Sequence, residues 1–247
     1  MNNANNEGNL TAQALDKLAE VAITSQLDTV EQVDVTIDTD PGKLIAGKVD
    51  SVAIAGEGLV MKQELRVEAM AVTTGAVEIN PLKAIFGEIE LTHPTDAHVQ
   101  ILLTEADINR ALQSDFLRNK MQNLSIEVQG QPRTLTIQSA QVSLPGDNQL
   151  VIEGALALLD TAQIKQVTAT TKPFLKEAGH CIGLEVMSVD CEGLALDFVM
   201  ALVERITDLL DLRNFELDGM SIRLQDFNLE TGKLLLRGVA QVETLPT

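Results

Sequence analysis

Three side chains in one short stretch have the chemistry of metal ligands. His180 and Cys181 are adjacent, and Cys191 follows them. With Asp190 or Glu192 as a fourth ligand they would make a zinc site, but their spacing matches neither a zinc finger nor a zinc knuckle. Free cysteines usually pack as small buried hydrophobes. We therefore interpret both cysteines as packing residues and predict no metal and no other cofactor.

Acidic side chains on one predicted helix are the second candidate for chemistry. Glu204 and Asp208 are four residues apart, and Asp197 continues their line. A general acid needs a carboxyl whose pKa is raised by burial, whereas a narrow polar stripe on an apolar helix is usually its solvent-exposed edge. The sequence also lacks the phosphate-binding glycine loops, nucleophile elbow and zinc-protease motif of common enzymes. We predict that the protein is not an enzyme.

Composition and charge exclude one large class of partners. The 247 residues carry 36 acidic and 18 basic side chains, for a formal net charge of -18, and only 2% are aromatic. A surface of this sign repels a polyphosphate backbone, and few rings are present on which bases could stack. We therefore predict no nucleic-acid partner. The 45% of apolar residues are enough for a sizeable core.

The element order predicts one domain after a short polar tail. Residues 1–9 are assigned to the tail, and residues 10–247 to a single domain with two pseudo-repeated halves of about 10–120 and 121–247. The first residues lack the basic and apolar regions of a signal peptide, and no run approaches the ~20 apolar residues of a spanning helix. We expect a cytoplasmic protein that is peripheral to a membrane. Its oligomeric state is left open.

A duplicated stretch gives the clearest local pattern. DPGKLIAGKV at 40–49 and NPLKAIFGEI at 80–89 share a capping residue, a proline at the first helical position and a late glycine. Asp40 and Asn80 suit helix N-caps, and the glycines suit the left-handed residue after a helix. Because alternating apolar residues flank both copies, each copy is predicted to be a strand, a short helical turn and another strand.

The most apolar predicted helix covers residues 194–210. Apolar residues occupy more than half of its circumference, including Phe198, Leu202 and Ile206. Such a helix must be buried broadly, which predicts an α+β fold in which long antiparallel strands wrap it. Two alternatives remain open at this point: a solid side-chain core, or a slot between helix and sheet with room for acyl chains.

The order of a leading helix, DPGKLIAGKV, SVAIAGEGL, NPLKAIFGEI and HPTDAHVQILLTEADINRAL resembles the LmeA-like phospholipid-binding family of bacteria. The resemblance extends from about Leu10 to Val242. That family is similar to the tubular lipid-binding (TULIP) superfamily, which implies a long curved antiparallel sheet wrapped around a long apolar helix. The residues expected to face the lipid groove are Leu44, Ile45, Ile85, Phe86, Phe198, Leu202 and Ile206.

The resemblance implies a binding function without catalysis. We expect non-covalent binding of a phospholipid or another glycerolipid in an apolar groove, for lipid transfer, presentation or sensing at a membrane surface. The alternative is a solid-cored scaffold or assembly protein that acts through protein contacts. A lipid-modifying hydrolase ranks third, because the sequence offers no nucleophile motif.

One short stretch, TTKPFLKEAG at 170–179, suits transient contact with a membrane. Pro173 is expected to interrupt regular structure, so that an apolar pair protrudes between two lysines. The residues of this predicted tip are Lys172, Phe174, Leu175 and Lys176. The alternative is that Phe174 packs into the core beneath a loop and the lysines are ordinary solvated charges.

Overall fold

Antiparallel β-strands form most of the protein in the computed structural model, which describes residues 17, 20, 24, 27–61, 65–80, 82, 83, 90–191, 193–215 and 220–243. The strands are β1 (Leu27–Thr29), β2 (Gln32–Asp38), β3 (Lys48–Val49), β4 (Ser51–Met61), β5 (Leu65–Thr74), β6 (Val77–Glu78), β7 (Thr95–Thr104), β8 (Leu124–Val128), β9 (Gln131–Gly146), β10 (Gln149–Leu158), β11 (Gln163–Lys176), β12 (Cys181–Cys191), β13 (Met220–Glu230) and β14 (Lys233–Val242). The helices are α1 (Pro41–Ile45), α2 (Glu105–Gln113), α3 (Asp115–Lys120) and α4 (Leu196–Leu209), with 3-10 turns at Glu177–Gly179 and Leu212–Phe215.

A five-stranded sheet curls around α4. Its strand order is β12-β11-β10-β9-β8, and α4 contacts both of the strands at its edges, β8 and β12. The sheet therefore forms a half-barrel with the helix in its concavity. The predicted curved antiparallel sheet is confirmed in this coarser form: the described part of the chain is β-rich with few helices, and α4 has 14 residues.

The side chains between α4 and this sheet form a packed core. Phe198 and Leu202 are four residues apart on α4 and insert among strand residues from β8 to β11. A second row on the helix, Val199 and Val203, packs on Leu184 of β12. The buried residues that pack around Phe198 and Leu202 are Met121, which follows α3, and the strand residues Leu124, Ile126, Leu135, Ile137, Leu156 and Val167.

A second, seven-stranded sheet has the order β1-β4-β5-β7-β14-β13, with β2 also paired to β4. Its last two strands come from the C-terminal part of the chain, since β14 pairs with β7 along its whole length. The seven-stranded sheet thus combines strands from earlier and later parts of the chain, and the pseudo-repeated halves of 10–120 and 121–247 stay a prediction. The prediction of a single domain over 10–247 stays a prediction.

Helix α2 joins the two sheets. It begins with a capping box, in which Thr104 and Asp107 exchange side-chain and backbone hydrogen bonds, as their spacing predicts. β8 pairs only with the first residues of β9, so the rest of that edge of β9 needs other partners. The Asn109 amide supplies them by donating to the Val142 carbonyl at 2.7 Å and accepting from its N–H at 2.8 Å.

The tip of one hairpin in each sheet also contacts the other sheet. The turn between β9 and β10 contains Asn148 at φ 58°, whose Oδ1 accepts a hydrogen bond from the Leu229 N–H at 3.2 Å. The turn between β13 and β14 contains Thr231, whose hydroxyl donates a hydrogen bond to the Pro145 carbonyl at 3.1 Å. These two hydrogen bonds join the tip of a hairpin from each sheet.

The strand that follows the first duplicated turn, β3, pairs with the strand that precedes the second, β6. Asp40 accepts from the Lys43 N–H at 2.9 Å, and Gly47 has φ 72°, so the predicted cap and left-handed residue of the first copy are confirmed. In the second copy, Asn80 Oδ1 accepts from the Leu82 N–H at 3.1 Å. Residues 84–89, which include Gly87, lie outside the described residues.

Candidate apolar binding groove

An apolar groove runs along the outer edge of β12. It has a volume of about 830 Å³ and opens to solvent. Strand β12 supplies most of its wall, the first two turns of α4 supply another part, and β11 contributes one aromatic ring. The lining residues are Phe174, Leu184, Glu185, Val186, Met187, Ser188, Val189, Leu196 and Met200.

A β-bulge shapes the strand side of the groove. Thr170 pairs with Ser188 and Thr171 pairs with Val186, so Met187 is the extra residue on β12. The bulge shifts the alternation of the strand, which lets both Val186 and Val189 pack toward α4 while Met187 stays 57% exposed. The bulge therefore places an exposed thioether at the groove.

Helix α4 contributes a third row of side chains to the groove. Leu196 and Met200 are four residues apart, so they lie on one face of the helix. They are 66% and 49% exposed, whereas Phe198 and Leu202 on the neighbouring row are buried. With Phe174 at 46% exposed, these residues form a cluster of large apolar side chains on the surface.

Unpaired backbone also lines this groove. β12 is at the edge of its sheet, and its free side is covered only at its start, where Leu212 N–H donates to the His180 carbonyl at 2.8 Å and Asp211 bridges to Cys181. Within the described residues, no other strand pairs with this side of β12. The groove thus has polar N–H and C=O groups among its apolar side chains.

The predicted groove residues on α4 do not line this opening. Phe198 and Leu202 are buried in the packed core, and Ile206 is half-buried against the same clusters. The solid-core alternative therefore describes that side of the helix, because strands from β8 to β11 already fill the space. The open side of α4 is the row of Leu196 and Met200.

The other predicted groove residues lie elsewhere. Leu44 and Ile45 are on α1 beside β3, away from α4, with Leu44 half-buried and Ile45 82% exposed. The structure therefore separates them from Phe198 and its neighbours. Ile85 and Phe86 lie outside the described residues, so their place in a groove stays a prediction.

The predicted tip at 170–179 is not a loop. Residues up to Lys176 continue β11 as a regular strand paired with β12, and only the turn at Glu177–Gly179 follows. The strand tolerates Pro173 because the pairing of β11 with β10 does not extend beyond Thr171. Pro173 therefore has a paired strand, β12, on one side only.

This strand conformation divides the predicted tip between two faces. Lys172, Phe174 and Lys176 alternate on the exposed face of β11, whereas Pro173 is buried and Leu175 is half-buried on the other face. Phe174 is not a core residue, and it does not protrude together with Leu175. The membrane role of these residues stays a prediction.

The residues considered for chemistry are placed as packing or surface groups. Cys181 is buried, and its thiol donates to the Thr207 carbonyl at 3.4 Å. Burial raises the pKa of this thiol, and the nearby Asp211 carboxylate adds to the effect, so it is a poor nucleophile. Glu204 and Asp208 lie on the exposed edge of α4.

A second, more polar cavity of about 990 Å³ lies between α2, α3 and strands β9 to β11. Its lining is rich in amide side chains, among them Gln113, Gln138 and Gln166, and it also includes Glu153 and Arg118. It shares no lining residue with the apolar groove. Across the described part of the chain, no helix has the length and apolar character needed to cross a bilayer.

The sequence prediction missed the residues of the apolar groove other than Phe174. One signal was present: the apolar residues of β12 break their alternation at Met187, which is typical of a bulge. The exposed row of Leu196 and Met200 could not be told from the buried rows, because every row of α4 apart from its acidic edge is apolar.

A β-rich fold with a curled sheet around a helix, and an apolar groove at its edge, is consistent with a protein that holds an apolar ligand. The chain belongs to the LmeA-like phospholipid-binding family, whose model matches residues 7–239. A search of curated protein sequences finds no match to this chain. The family resemblance described from the sequence motifs is thus confirmed over nearly the whole chain.

Proposed function

We propose that the protein binds a phospholipid or a related glycerolipid without chemical change, with an acyl chain in the apolar groove beside β12. The observation that supports this proposal is the cluster of Phe174, Met187, Leu196 and Met200, which exposes large apolar side chains around one opening. Exposed apolar area of this kind is unfavourable in water unless a ligand or surface covers it.

The size and lining of the groove suit one lipid tail. Pockets that hold small ligands have volumes of about 300–1,000 Å³ and are mostly apolar with a few polar groups. The groove falls within this range at about 830 Å³, and Glu185 and Ser188 are its polar side chains. Two methionines among the lining residues give it flexible walls that adapt to chains of different shape.

The proposed role is to carry, present or sense lipid at a membrane surface. A groove that is open along its length can accept and release a tail without unfolding the protein, because the lining side chains lie on the surface of packed elements. Among the described residues that line the groove, Ser188 is the one hydroxyl, and no described base is paired with it, which favours binding over hydrolysis. The proposal includes a tubular lipid-binding architecture for this protein.

The free edge of β12 favours a second candidate function, as a scaffold that binds another protein. An unpaired strand edge with apolar pockets on either side is the usual site for strand addition. In that case a peptide segment would occupy the groove in place of a lipid tail.

Lipid extraction tests the proposed function directly. The protein is purified without detergent, extracted with organic solvent and examined for co-purified phospholipid by mass spectrometry. We expect lipid in an amount comparable with the protein, and its loss in Met200→Glu, which places a charge in the groove. Ile164→Glu is the matched control, because Ile164 is 60% exposed but does not line the groove.

Absence of lipid from the parent protein, together with no uptake from vesicles, would contradict the proposal and favour the scaffold. Equal lipid content in Met200→Glu and Ile164→Glu would place the lipid in another site, with the polar cavity beside α2 and α3 as the next candidate.

A further inference from the structure

Nine of the basic side chains that the structure describes form ion pairs with carboxylates. Within the described residues, the basic side chains that contact a carboxylate within 4.0 Å are Lys17, Lys43, Lys48, Arg66, Lys83, Arg133, Arg205, Arg213 and Arg237. Their charge is therefore already compensated where they lie, and they offer little attraction to an external anion.

Two lysines of β11 are among the described basic residues that have no such ion pair. Lys172 and Lys176 are exposed and form no ion pair within the described part of the chain. Glu185 is the cross-strand neighbour of Lys172, but it makes no salt bridge with it. The exposed face of β11 thus carries two positive charges that no ion pair neutralises within the described residues, in a protein whose formal net charge is -18.

An aromatic ring lies between these two lysines. Phe174 occupies the strand position between Lys172 and Lys176 on the same face. Its ring lies over Gly183 of β12, since a Cβ added there would meet the ring at 2.6 Å and the Lys176 side chain at the same distance. The absence of a side chain at Gly183 leaves room for the ring, which also lines the groove.

The lysine face and the groove share Phe174 as a common boundary. Phe174 lines the groove together with Met187 of β12 and Leu196 of α4. Exposed apolar side chains flanked by lysines combine the two interactions that hold proteins at anionic bilayers: burial of apolar groups in the interface, and attraction to negative headgroups.

We infer that this surface, formed by Lys172, Phe174, Lys176, Met187 and Leu196, docks on an anionic phospholipid bilayer and places the mouth of the groove against the lipid. The inference deepens the proposed function and rests on it, because docking at this surface brings the opening to its ligand. The rest of the molecule is acidic and is repelled by the same bilayer, so the charge distribution sets the orientation.

Flotation with vesicles tests the docking surface. Vesicles of phosphatidylcholine with phosphatidylglycerol are compared with vesicles of phosphatidylcholine alone, at low and high sodium chloride. We expect binding to the anionic vesicles only, and weaker binding at high salt. The double variant Lys172→Gln/Lys176→Gln should bind about 25-fold less, at about fivefold for each lysine.

The matched control is Lys120→Gln/Lys233→Gln, which changes the net charge by the same amount on α3 and β14. We expect it to bind as the parent does, apart from a small general effect of charge. Phe174→Ser should bind about tenfold less, with the thermal midpoint measured alongside. Should Phe174→Ser fail to fold, the lysine variants still decide the outcome.

Equal vesicle binding by the two double variants would overturn the inference. So would absence of binding together with a dimer that Phe174→Ser converts to a monomer, because a second copy would then cover this surface. Uptake of a short-chain phospholipid, measured below its critical micelle concentration, distinguishes lipid binding in the groove from docking of this surface on a bilayer. Uptake without vesicle binding contradicts the docking surface alone, and vesicle binding without uptake contradicts the groove.

Discussion

Nη1 of Arg66 lies 2.7 Å from Oδ1 of Asp107, which joins β5 of the seven-stranded sheet to α2. The Asp107 residue is 2% exposed, and its other oxygen accepts hydrogen bonds from the Thr104 N–H at 3.0 Å and hydroxyl at 2.6 Å. Both oxygens of a buried carboxylate are therefore satisfied, and one of them depends on a side chain from a distant strand.

Removal of the arginine should destabilise the protein more than removal of an exposed one. Arg66→Met leaves the Asp107 carboxylate buried without its cation, and we expect a loss of about 3 kcal/mol in the free energy of unfolding. Arg237→Met breaks an exposed pair with Asp226 and should cost less than about 1 kcal/mol. Urea denaturation of both variants measures the difference. Equal losses would show that the buried pair has no special role.

The same pair predicts a dependence of stability on pH. Burial by itself would raise the pKa of Asp107, but hydrogen bonds from Thr104 and Arg66 outweigh burial and lower the pKa below its ordinary value. Because the folded protein favours the carboxylate, the stability that Asp107 contributes is present above about pH 4 and is lost as the pH falls further.

Comparison with Asp107→Asn isolates this contribution from the other carboxylates. The parent should be more stable than Asp107→Asn at pH 7, and the gap should narrow as the pH falls from about 5 toward 3. Asp226→Asn, at an exposed ion pair, should differ from the parent by less than about 1 kcal/mol at each pH. A constant gap for Asp107→Asn would assign its effect to packing.

Two neighbouring rows of α4 should respond differently to the same charge. Leu202→Asp buries a carboxylate in the core and should cost more than about 4 kcal/mol or prevent folding. Met200→Asp, on the exposed row, should change the free energy of unfolding by no more than about 1 kcal/mol. Chemical denaturation of the two variants is the measurement. A stable Leu202→Asp protein would mean that α4 does not lie in the concavity of the sheet.

The hairpin contact at Asn148 can be separated into two effects. Asn148→Gly keeps the backbone at its positive φ and loses the hydrogen bond to Leu229, which should cost about 1 kcal/mol. Asn148→Ala also strains the backbone and should cost about 2 kcal/mol. Asn228→Ala, at an exposed residue of β13, serves as the control and should change the free energy of unfolding by no more than about 0.5 kcal/mol. If the glycine variant is as stable as the parent, the contact between hairpin tips contributes nothing.

Local features of the fold were predictable because neighbouring residues decide them. The cap at Asp40, the capping box of Thr104 and Asp107, and the extent of α4 follow from side chains within a few positions of one another. The prediction of a break at Pro173 was wrong for a non-local reason. The proline is tolerated because the pairing of β11 with β10 stops at Thr171, and no local sequence pattern shows where that pairing stops.

The apolar groove was less predictable than the fold. Its wall depends on which strand lies at the edge of the curled sheet and on which row of α4 remains uncovered. Phe198 and Met200 are both apolar and two positions apart, yet one is buried and the other is half exposed. The arrangement of the surrounding strands makes that difference, so the helix sequence alone does not contain it.

The pairing of β14 with β7 has a consequence for synthesis on the ribosome. β7 is made well before β14, so the edge of β7 that will receive β14 has no partner until the hairpin of β13 and β14 emerges. Contacts between residues so far apart form slowly, and an open strand edge can pair with another chain in the meantime. Completion of the seven-stranded sheet must therefore await translation of the hairpin of β13 and β14, and the open edge of β7 is available to other chains during that interval.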